Sequence, residues 1–201
     1  MKELLTSEIV QIRVSAQLIN ESKLQNNGRL ILRGVILQRA NAKNANGRIY
    51  PKPVLLREAN KYQKNYISIN NAIGELDHPD SSTISLSRGA LNVVKMWWEG
   101  DDLKGDVEVL TNLPNGKILE GYLLHGITVG ISSRGLGSVK ESANNTVEVQ
   151  DDFDLVAFDC VSTPSTQGAY MRLTEGKNMN AVNEYTKALE TLNQLIDEII
   201  F

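Results

Sequence analysis

The sequence predicts a protein built from β-hairpins and isolated helices, a mixture consistent with an α+β fold. Two apolar segments joined by a Gly-Asp turn, over residues 92–110, indicate one hairpin, and residues 138–150 indicate a second with Asn144 and Asn145 at its turn. Residues 53–66 and 115–126 have helical spacing of apolar residues instead. At 201 residues the chain can bury a core of one main domain.

The elements follow one another with clear boundary signals. The run RLILRGVILQR (29–39) predicts a strand, with Gly34 as a bulge. An Asn- and Gly-rich loop follows it, and Pro53 then begins a helix that places Leu55, Ala59, Tyr62 and Tyr66 on one face. The second helix is expected to end near Gly126, and FDLVAFDCVS (153–162) predicts a late strand.

The chain divides into four parts by composition. Residues 1–28 are predicted to be peripheral, residues 29–173 to form the main domain, and residues 174–184 to be a polar linker. Residues 185–201 predict an amphipathic helix, whose apolar positions alternate at steps of four and three. This seam either docks on the body of the protein or binds a partner, such as a second copy of the chain in a homo-oligomer.

Composition excludes several classes of protein. The net charge of −3 and the pI near 5.5 argue against a general nucleic-acid binder, which carries a basic surplus. No segment is apolar enough for a signal peptide or a membrane span. The single cysteine, Cys160, cannot form an internal disulfide and suits a reducing compartment. We therefore expect a soluble cytoplasmic protein without membrane or nucleic-acid partners.

This late strand contains a carboxylate in an apolar row. Alternation places Asp159 on the same face as Phe153, Leu155, Ala157 and Val161. A buried carboxylate is costly unless it is hydrogen-bonded or paired. We therefore expect a specific partner for Asp159.

Three residue types of a nucleophilic site occur on separate elements. Ser132 or Ser133 follows an apolar run, His78 lies in a loop, and Asp159 lies on the late strand. A serine nucleophile needs a base within hydrogen-bond reach and a group that orients the base. The sequence GISSRG is not the GxSxG elbow of α/β-hydrolases. Side-chain types alone leave this triad weakly specified.

Other uses of these residues stay open on the same grounds. Glu75, Asp77, His78 and Asp80 offer carboxylate and imidazole ligands for a divalent metal, although they crowd into six residues. Cys160 is a second nucleophile, but its neighbours on the strand favour a buried, inert thiol.

The second histidine of the chain has a simpler interpretation. His125 lies at the end of the second predicted helix, just before Gly126. At that position a histidine commonly interacts with the last carbonyl groups of the helix. We therefore leave His125 out of the predicted site.

Five stretches resemble the prohead core proteases of T-even-type tailed bacteriophages. These are serine peptidases related in fold to herpesvirus assembly proteases. The stretches are NGRIYPKPVL (46–55), GELDHP (74–79), MWWEGDDLKGDVEV (96–109), GISSRGLGS (130–138) and FDCVSTPS (158–165). They occur in the family's order and cover roughly residues 30–170. GELDHP and SSRGLGS together are the specific part of the resemblance.

The resemblance implies roles for individual residues. His78 matches the family's catalytic base and Ser132 its nucleophile, while Ser133, which points to the opposite side, supports the loop. Asp159 is our choice for the third catalytic residue, partly on the buried-carboxylate argument; herpesvirus relatives use a second histidine. Arg134 and Gly135 are candidates for the region that stabilises the oxyanion.

The resemblance also implies a fold and a function. The fold is α+β, a mostly antiparallel β-barrel surrounded by helices, with a C-terminal helical tail. The function is capsid-maturation proteolysis inside the assembling prohead in the host cytoplasm, with phage scaffold or core proteins and the major capsid protein as substrates, and with no metal or organic cofactor. The alternative is a non-enzymatic scaffold or core protein that acts through its terminal helix.

The family resemblance finally implies cleavage after glutamate, followed by self-cleavage. The expected site has an aliphatic residue two positions before the glutamate and a small residue after it. Residues 173–176 (LTEG, cut after Glu175) and 19–22 (INES, cut after Glu21) fit this pattern at the two borders of the main domain. A pocket for glutamate needs a cation, for which Arg88 and Arg134 are candidates.

Overall fold

The structure is a computed structural model and describes residues 16–142 and 146–173. In chain order its elements are α1 (residues 16–25), β1 (Leu30–Arg39), β2 (Arg48–Ile49), α2 (Lys52–Asn65), β3 (Ile73–Glu75), β4 (Gly89–Glu99), β5 (Asp102–Val109), α3 (Pro114–Leu124), β6 (Val129–Leu136), β7 (Val139–Ser142), β8 (Thr146–Val149), β9 (Asp154–Val161) and β10 (Tyr170–Met171). Short 3₁₀ turns occupy Ile67–Ile69 and Leu86–Arg88. The mixture of strands and helices confirms the α+β class.

The strands form three sheets. The largest has the order β1-β5-β4-β3 and is antiparallel throughout. The second, β10-β6-β9, is also antiparallel, whereas the third, β2-β8-β7, contains one parallel pair, β2 with β8. The first two sheets are joined by a single parallel bridge between Leu76 and Cys160.

The predicted barrel is wrong in one respect: none of the sheets formed by residues 16–142 and 146–173 closes on itself. The reason lies at β3, which is three residues long and pairs with β4 on one side only. Continuous closure would need a full ladder from β3 to β9, and the bridge at Leu76 supplies one point of it. The relationship to herpesvirus proteases stays a prediction.

The local predictions for the largest sheet are confirmed. β4 and β5 form a hairpin whose two-residue turn begins with Gly100 at a φ of 61°. β1 carries a register shift between Leu32 and Val35, with Gly34 at a φ of 66° inside it. The Asp106 carboxylate accepts a hydrogen bond from the Gly34 backbone N–H at 3.1 Å, which holds the bulge against β5.

Helix α2 packs one face against the core, as its spacing predicts. Leu55, Ala59 and Tyr62 are buried, while Tyr66 at the helix end is partly exposed. Glu58 is buried on the same face, and its carboxylate accepts a hydrogen bond from the Leu155 backbone N–H at 3.1 Å. This bond anchors the helix to β9, the strand predicted to carry the functional carboxylate.

The second helix and the second hairpin are also found where the sequence predicts them. Helix α3 ends at Leu124, two residues before Gly126, which has a φ of 68°. β7 and β8 pair in antiparallel register, while the turn predicted at Asn144 and Asn145 lies outside the described residues.

Both termini fall largely outside the described residues. The predicted linker and the C-terminal amphipathic helix lie there completely. Within the described part of the chain, Ile19 of α1 is buried in the main core. No helix of this described part is long and apolar enough to cross a membrane.

The core lies between the first two sheets, α2 and α3. Its largest fully buried apolar side chains come from all of these elements: Leu30, Leu32, Leu37, Tyr62, Leu91, Leu103, Leu119, Ile131, Phe158 and Met171. β9 therefore passes through the centre of the protein, and a polar residue on it is cut off from bulk water.

Close packing where β3 meets β9 makes Gly74 sensitive to substitution. A Cβ atom at Gly74 would lie 2.0 Å from the Phe158 carbonyl oxygen and 2.6 Å from the Leu91 Cδ1 atom. Because the nearer atom is backbone, we expect Gly74→Ala to lower the free energy of unfolding by about 3 kcal/mol in urea denaturation. Gly121→Ala is the control, since a Cβ in α3 at that position meets nothing within 4 Å. It should raise stability by about 0.5–1 kcal/mol. Equal effects of the two changes would contradict the packing argument.

Candidate active site

The Asp159 carboxylate is fully buried and accepts hydrogen bonds from three residues. Its Oδ1 atom accepts from the Glu75 backbone N–H at 2.9 Å and its Oδ2 atom from Arg134 Nε at 2.8 Å. Arg134 Nη2 lies 3.3 Å from Oδ1, so the guanidinium contacts both oxygens. His78 Nδ1 completes the set at 2.8 Å from Oδ2. The partner expected for the buried Asp159 carboxylate is therefore a group of three residues.

The loop that carries His78 is fixed to β9 immediately beside Asp159. Leu76 bridges to Cys160, and the Asp77 backbone N–H donates to the Cys160 carbonyl at 2.8 Å. Asp77 adopts a φ of 64°, a left-handed conformation that aspartate tolerates better than most residues. This turn brings the next side chain, His78, to the carboxylate.

The contact with Asp159 determines the tautomer of His78. A carboxylate that is paired with a guanidinium accepts hydrogen bonds, so Nδ1 of the imidazole carries the proton. The neutral ring then has its lone pair on Nε2, the nitrogen that a general base needs. The imidazole is 38% exposed, whereas Asp159 is inaccessible to solvent. A substrate can therefore reach the histidine but not the group that orients it.

The two adjacent serines occupy different environments. Ser132 lies directly opposite Asp159 in the pairing of β6 with β9. Ser133 points to the other side of the strand, where its Oγ accepts a hydrogen bond from Gln38 Nε2 at 2.9 Å. Gln38 in turn accepts from the Thr166 hydroxyl. Ser132 thus shares a side of the sheet with Asp159, while Ser133 links β6 to β1.

Ser132 and His78 line the same pocket, which has a volume of about 330 Å³. Its other walls come from Arg48 and Tyr50 around β2, and from Thr163 in the loop after β9. The structure thus brings together a hydroxyl, an imidazole with a usable Nε2 and the carboxylate behind it. This arrangement can activate a serine for attack on an acyl carbon.

Arg134 lies at the site, and its guanidinium is bound by other groups of the protein. Besides Asp159, it contacts the Ser81 carbonyl, which accepts from Nη1 at 2.6 Å, and Glu75 Oε2, which is 3.7 Å from Nη2. The side chain is 9% exposed. The backbone of Gly135, the next residue, packs closely against the Phe153 ring, because a Cβ there would lie 2.4 Å from that ring.

Glu75 is a second buried carboxylate, whose place in the sequence suggested only a metal ligand. Its Oε1 atom accepts a hydrogen bond from the Ser85 backbone N–H. Its Oε2 atom has no hydrogen bond but lies 3.3 Å from Arg88 Nε, in addition to the Arg134 contact. A glutamate on a strand beside apolar residues is the signal that could have predicted this role. Arg88 thus pairs with Glu75. It does not line the pocket that Ser132 and His78 share.

The rival interpretations gain no support. Among residues 16–142 and 146–173, no group of three His, Cys, Asp or Glu side chains is arranged to hold a metal. Burial, with smaller effects from Asp77 and Asp159, raises the pKa of the Cys160 thiol to about 12, so the thiol is inert near neutral pH. Burial also raises the pKa of Tyr62, and the Asp159 charge adds to this shift.

The structural interpretation of His125 is confirmed. Its Nδ1 donates to the Gly121 carbonyl at 2.9 Å, at the end of α3.

The two predicted self-cleavage sites differ in what surrounds them. Glu21 lies within helix α1, partly buried, and its carboxylate accepts a hydrogen bond from Gln17 Nε2 at 3.3 Å. Glu175 lies outside the described residues, two positions after Leu173.

Comparison with known proteins gives a consistent result. The sequence profile of the prohead core protein serine proteases matches residues 6–181. The prohead core protein protease of Enterobacteria phage T4 is 31% identical over 157 residues, which cover 76% of this chain and 74% of the relative. The solved structure of the bacteriophage T4 capsid assembly protease superposes with a TM-score of 0.62 at 31% identity, over 66% of this chain and 81% of that chain.

The charge balance of the site predicts unequal roles for its two arginines. Arg134→Met would leave the Asp159 and Glu75 carboxylates buried without their shared cation. We expect it to lower the free energy of unfolding by about 3–5 kcal/mol. Arg88→Met is the matched control, because this half-exposed side chain pairs with Glu75 alone and should contribute at most about 1 kcal/mol. Urea denaturation of both variants measures the difference, and a loss of similar size in the two would contradict this account.

Proposed function

The chain belongs to the family of prohead core protein serine proteases, and on that premise we propose that it is a serine endopeptidase of phage prohead maturation. One observation carries the serine mechanism. His78 Nδ1 lies 2.8 Å from the buried Asp159 carboxylate, and Ser132 lies opposite Asp159 on the neighbouring strand, in the pocket that His78 also lines.

The proposed reaction proceeds through an acyl-enzyme. Ser132 Oγ attacks the scissile carbonyl carbon while His78 Nε2 accepts the hydroxyl proton. The imidazolium then donates this proton to the leaving amine. Water next attacks the acyl-enzyme while His78 Nε2 accepts its proton, and this proton returns to Ser132 Oγ as the acid is released. Asp159 holds the Nδ1–H tautomer and stabilises the imidazolium. The mechanism requires neither a metal nor an organic cofactor.

Arg134 and Gly135 have different parts in this proposal. Because the Arg134 guanidinium is bound to Asp159, we assign it to positioning the carboxylate. The ladder between β6 and β9 has an irregularity between Arg134 and Gly135. Arg134 pairs with Ala157 and Gly135 with Leu155 there, so the extra residue, Val156, lies on β9 and not on β6. The proposal of Gly135 for the oxyanion therefore rests on the Gly-rich sequence that follows Ser132.

The substrates are proposed from the relatives. A prohead core protein protease and a capsid assembly protease, as the T4 proteins are named, act during assembly of the phage head. We accordingly propose that this chain cleaves scaffold or core proteins and the major capsid protein within the assembling prohead of the infected host. Cleavage follows glutamate, and the enzyme then cleaves itself.

The site predicts unequal effects of serine substitutions. Ser132→Ala and His78→Ala should each abolish cleavage of a protein substrate and labelling by a fluorophosphonate probe, with melting temperatures near that of the wild type. Ser133→Ala is the matched control and should keep substantial activity, because its hydroxyl bonds to Gln38 on the other side of the strand. An inactive Ser133→Ala beside an active Ser132→Ala would reverse the assignment.

The orienting role of Asp159 predicts a graded loss. Asp159→Asn should reduce kcat by up to about 10⁴-fold, because the amide no longer favours the Nδ1–H tautomer. Full activity of the Asp159→Asn protein would remove Asp159 from the site.

We expect the rate of self-cleavage to differ between the two predicted sites. Incubation followed by intact-mass measurement is expected to show loss of the segment after Glu175, and Glu175→Gln should prevent this loss. Cleavage after Glu21 should be slower, because the residue lies in a helix and a protease binds an extended chain. The Ser132→Ala protein is the control and should stay at full length. Trimming that persists in Ser132→Ala would show that another protease is responsible.

A further inference from the structure

The pocket contains two arginines, and only one of them is available to a substrate. Arg134 is bound to Asp159 and contacts Glu75. The other cation considered for substrate binding, Arg88, pairs with Glu75 and does not line the pocket. Arg48 does line it, and within residues 16–142 and 146–173 its guanidinium has no carboxylate partner. Arg48 is exposed, so its guanidinium is available to an anionic group that enters the pocket.

The backbone around Arg48 is held firmly in place. The Asn44 side-chain Oδ1 accepts hydrogen bonds from the backbone N–H groups of Asn46 at 3.0 Å and Arg48 at 2.9 Å. The Asn44 N–H donates back to the Arg48 carbonyl at 2.9 Å. The loop is also tied to the opposite wall, because the Ala45 N–H donates to the Ser165 carbonyl at 2.9 Å. Arg48 thus extends from a fixed backbone at the rim of the pocket.

The side chain of Arg48 lies on the same side of its strand as a buried aromatic ring. Tyr50, two residues later, also lines the pocket, and its ring packs edge-on against Phe153 with the centroids 5.4 Å apart. Alternation along an extended chain places residues i and i+2 on one side, which agrees with the shared lining. The apolar ring and the charged guanidinium together suit a side chain with a methylene stem and an anionic end.

We propose that Arg48 binds the acidic side chain of the substrate residue that occupies this pocket. The inference rests on the proposed proteolytic function and names the residue that determines specificity. A guanidinium binds a carboxylate through two parallel hydrogen bonds, and a neutral amide of the same shape offers no matching charge. Because Arg134 is already neutralised by buried carboxylates, the discrimination between acid and amide depends on Arg48.

A peptide library derived from a digested proteome tests the proposal. Cleavage sites are identified by mass spectrometry for the wild type, Arg48→Ala and Lys43→Ala. Lys43 is the matched control, since it is an exposed cation of the same loop that does not line the pocket. The wild type and Lys43→Ala should show enrichment of Glu or Asp beside the cleaved bond. Arg48→Ala should lose about 10–100-fold of this preference over the corresponding amides.

Fluorophosphonate labelling separates failure of this inference from failure of the proposed function. The probe carries no acidic side chain, so Arg48→Ala should be labelled at a rate near that of the wild type. A wild-type protein that is not labelled would overturn the serine mechanism itself. If the wild type is labelled but shows no acidic preference, or if Arg48→Ala retains the preference, the assignment of Arg48 is wrong and the mechanism stands.

Discussion

The ion pair between Arg134 and the buried Asp159 is the interaction on which the rest of the site depends. A carboxylate with no access to water would be strongly destabilising alone, and in this protein Arg134 contacts both of its oxygens. The same guanidinium approaches Glu75, which Arg88 also contacts from the outside. Two buried carboxylates and two guanidinium groups thus balance one another. The balance joins β3 to the paired strands β6 and β9, which belong to another sheet; the backbone links these two sheets at the Leu76 bridge and at the Asp77–Cys160 hydrogen bond.

The same contacts that neutralise the carboxylates also position the histidine. Glu75 donates its backbone N–H to Asp159 and anchors Ser85 through its side chain, so both ends of the loop containing His78 are held. Arg134 holds the middle of that loop through the Ser81 carbonyl. Orientation of the imidazole is therefore a consequence of charge neutralisation in the core. The fold and the proposed chemistry share the Arg134–Asp159 pair, so loss of that pair should affect both, whereas loss of the Ser132 or His78 side chain should affect the chemistry alone.

Local sequence signals predicted the elements well because each depends on neighbouring residues. The turn at Gly100, the bulge at Gly34 and the start of α2 all follow from backbone preferences that a few residues express. Closure of a barrel depends on pairing between distant strands, and the short β3 prevents it among the described residues. Asp159 could be singled out because a carboxylate in an apolar row demands a partner. Its contact with His78 follows from the predicted triad, whereas the ion pair with Arg134 could not be predicted, since 24 residues of chain separate Arg134 from Asp159.

Long-range pairing also determines how the two cations suggested for substrate binding are occupied in the structure. Arg88 and Arg134 lie near the expected site along the chain, but each is committed to a carboxylate that the core has buried. Arg134 could not bind a substrate anion without leaving the buried Asp159 carboxylate unpaired, at a cost of several kcal/mol. In the proposed function, an acidic substrate side chain is therefore bound by a cation outside this network. Arg48 meets this condition, because it lies at the exposed rim of the pocket and its removal leaves the Asp159 and Glu75 pairs intact. Specificity can thus vary at the rim while the charge balance beneath it keeps the fold and the histidine in place.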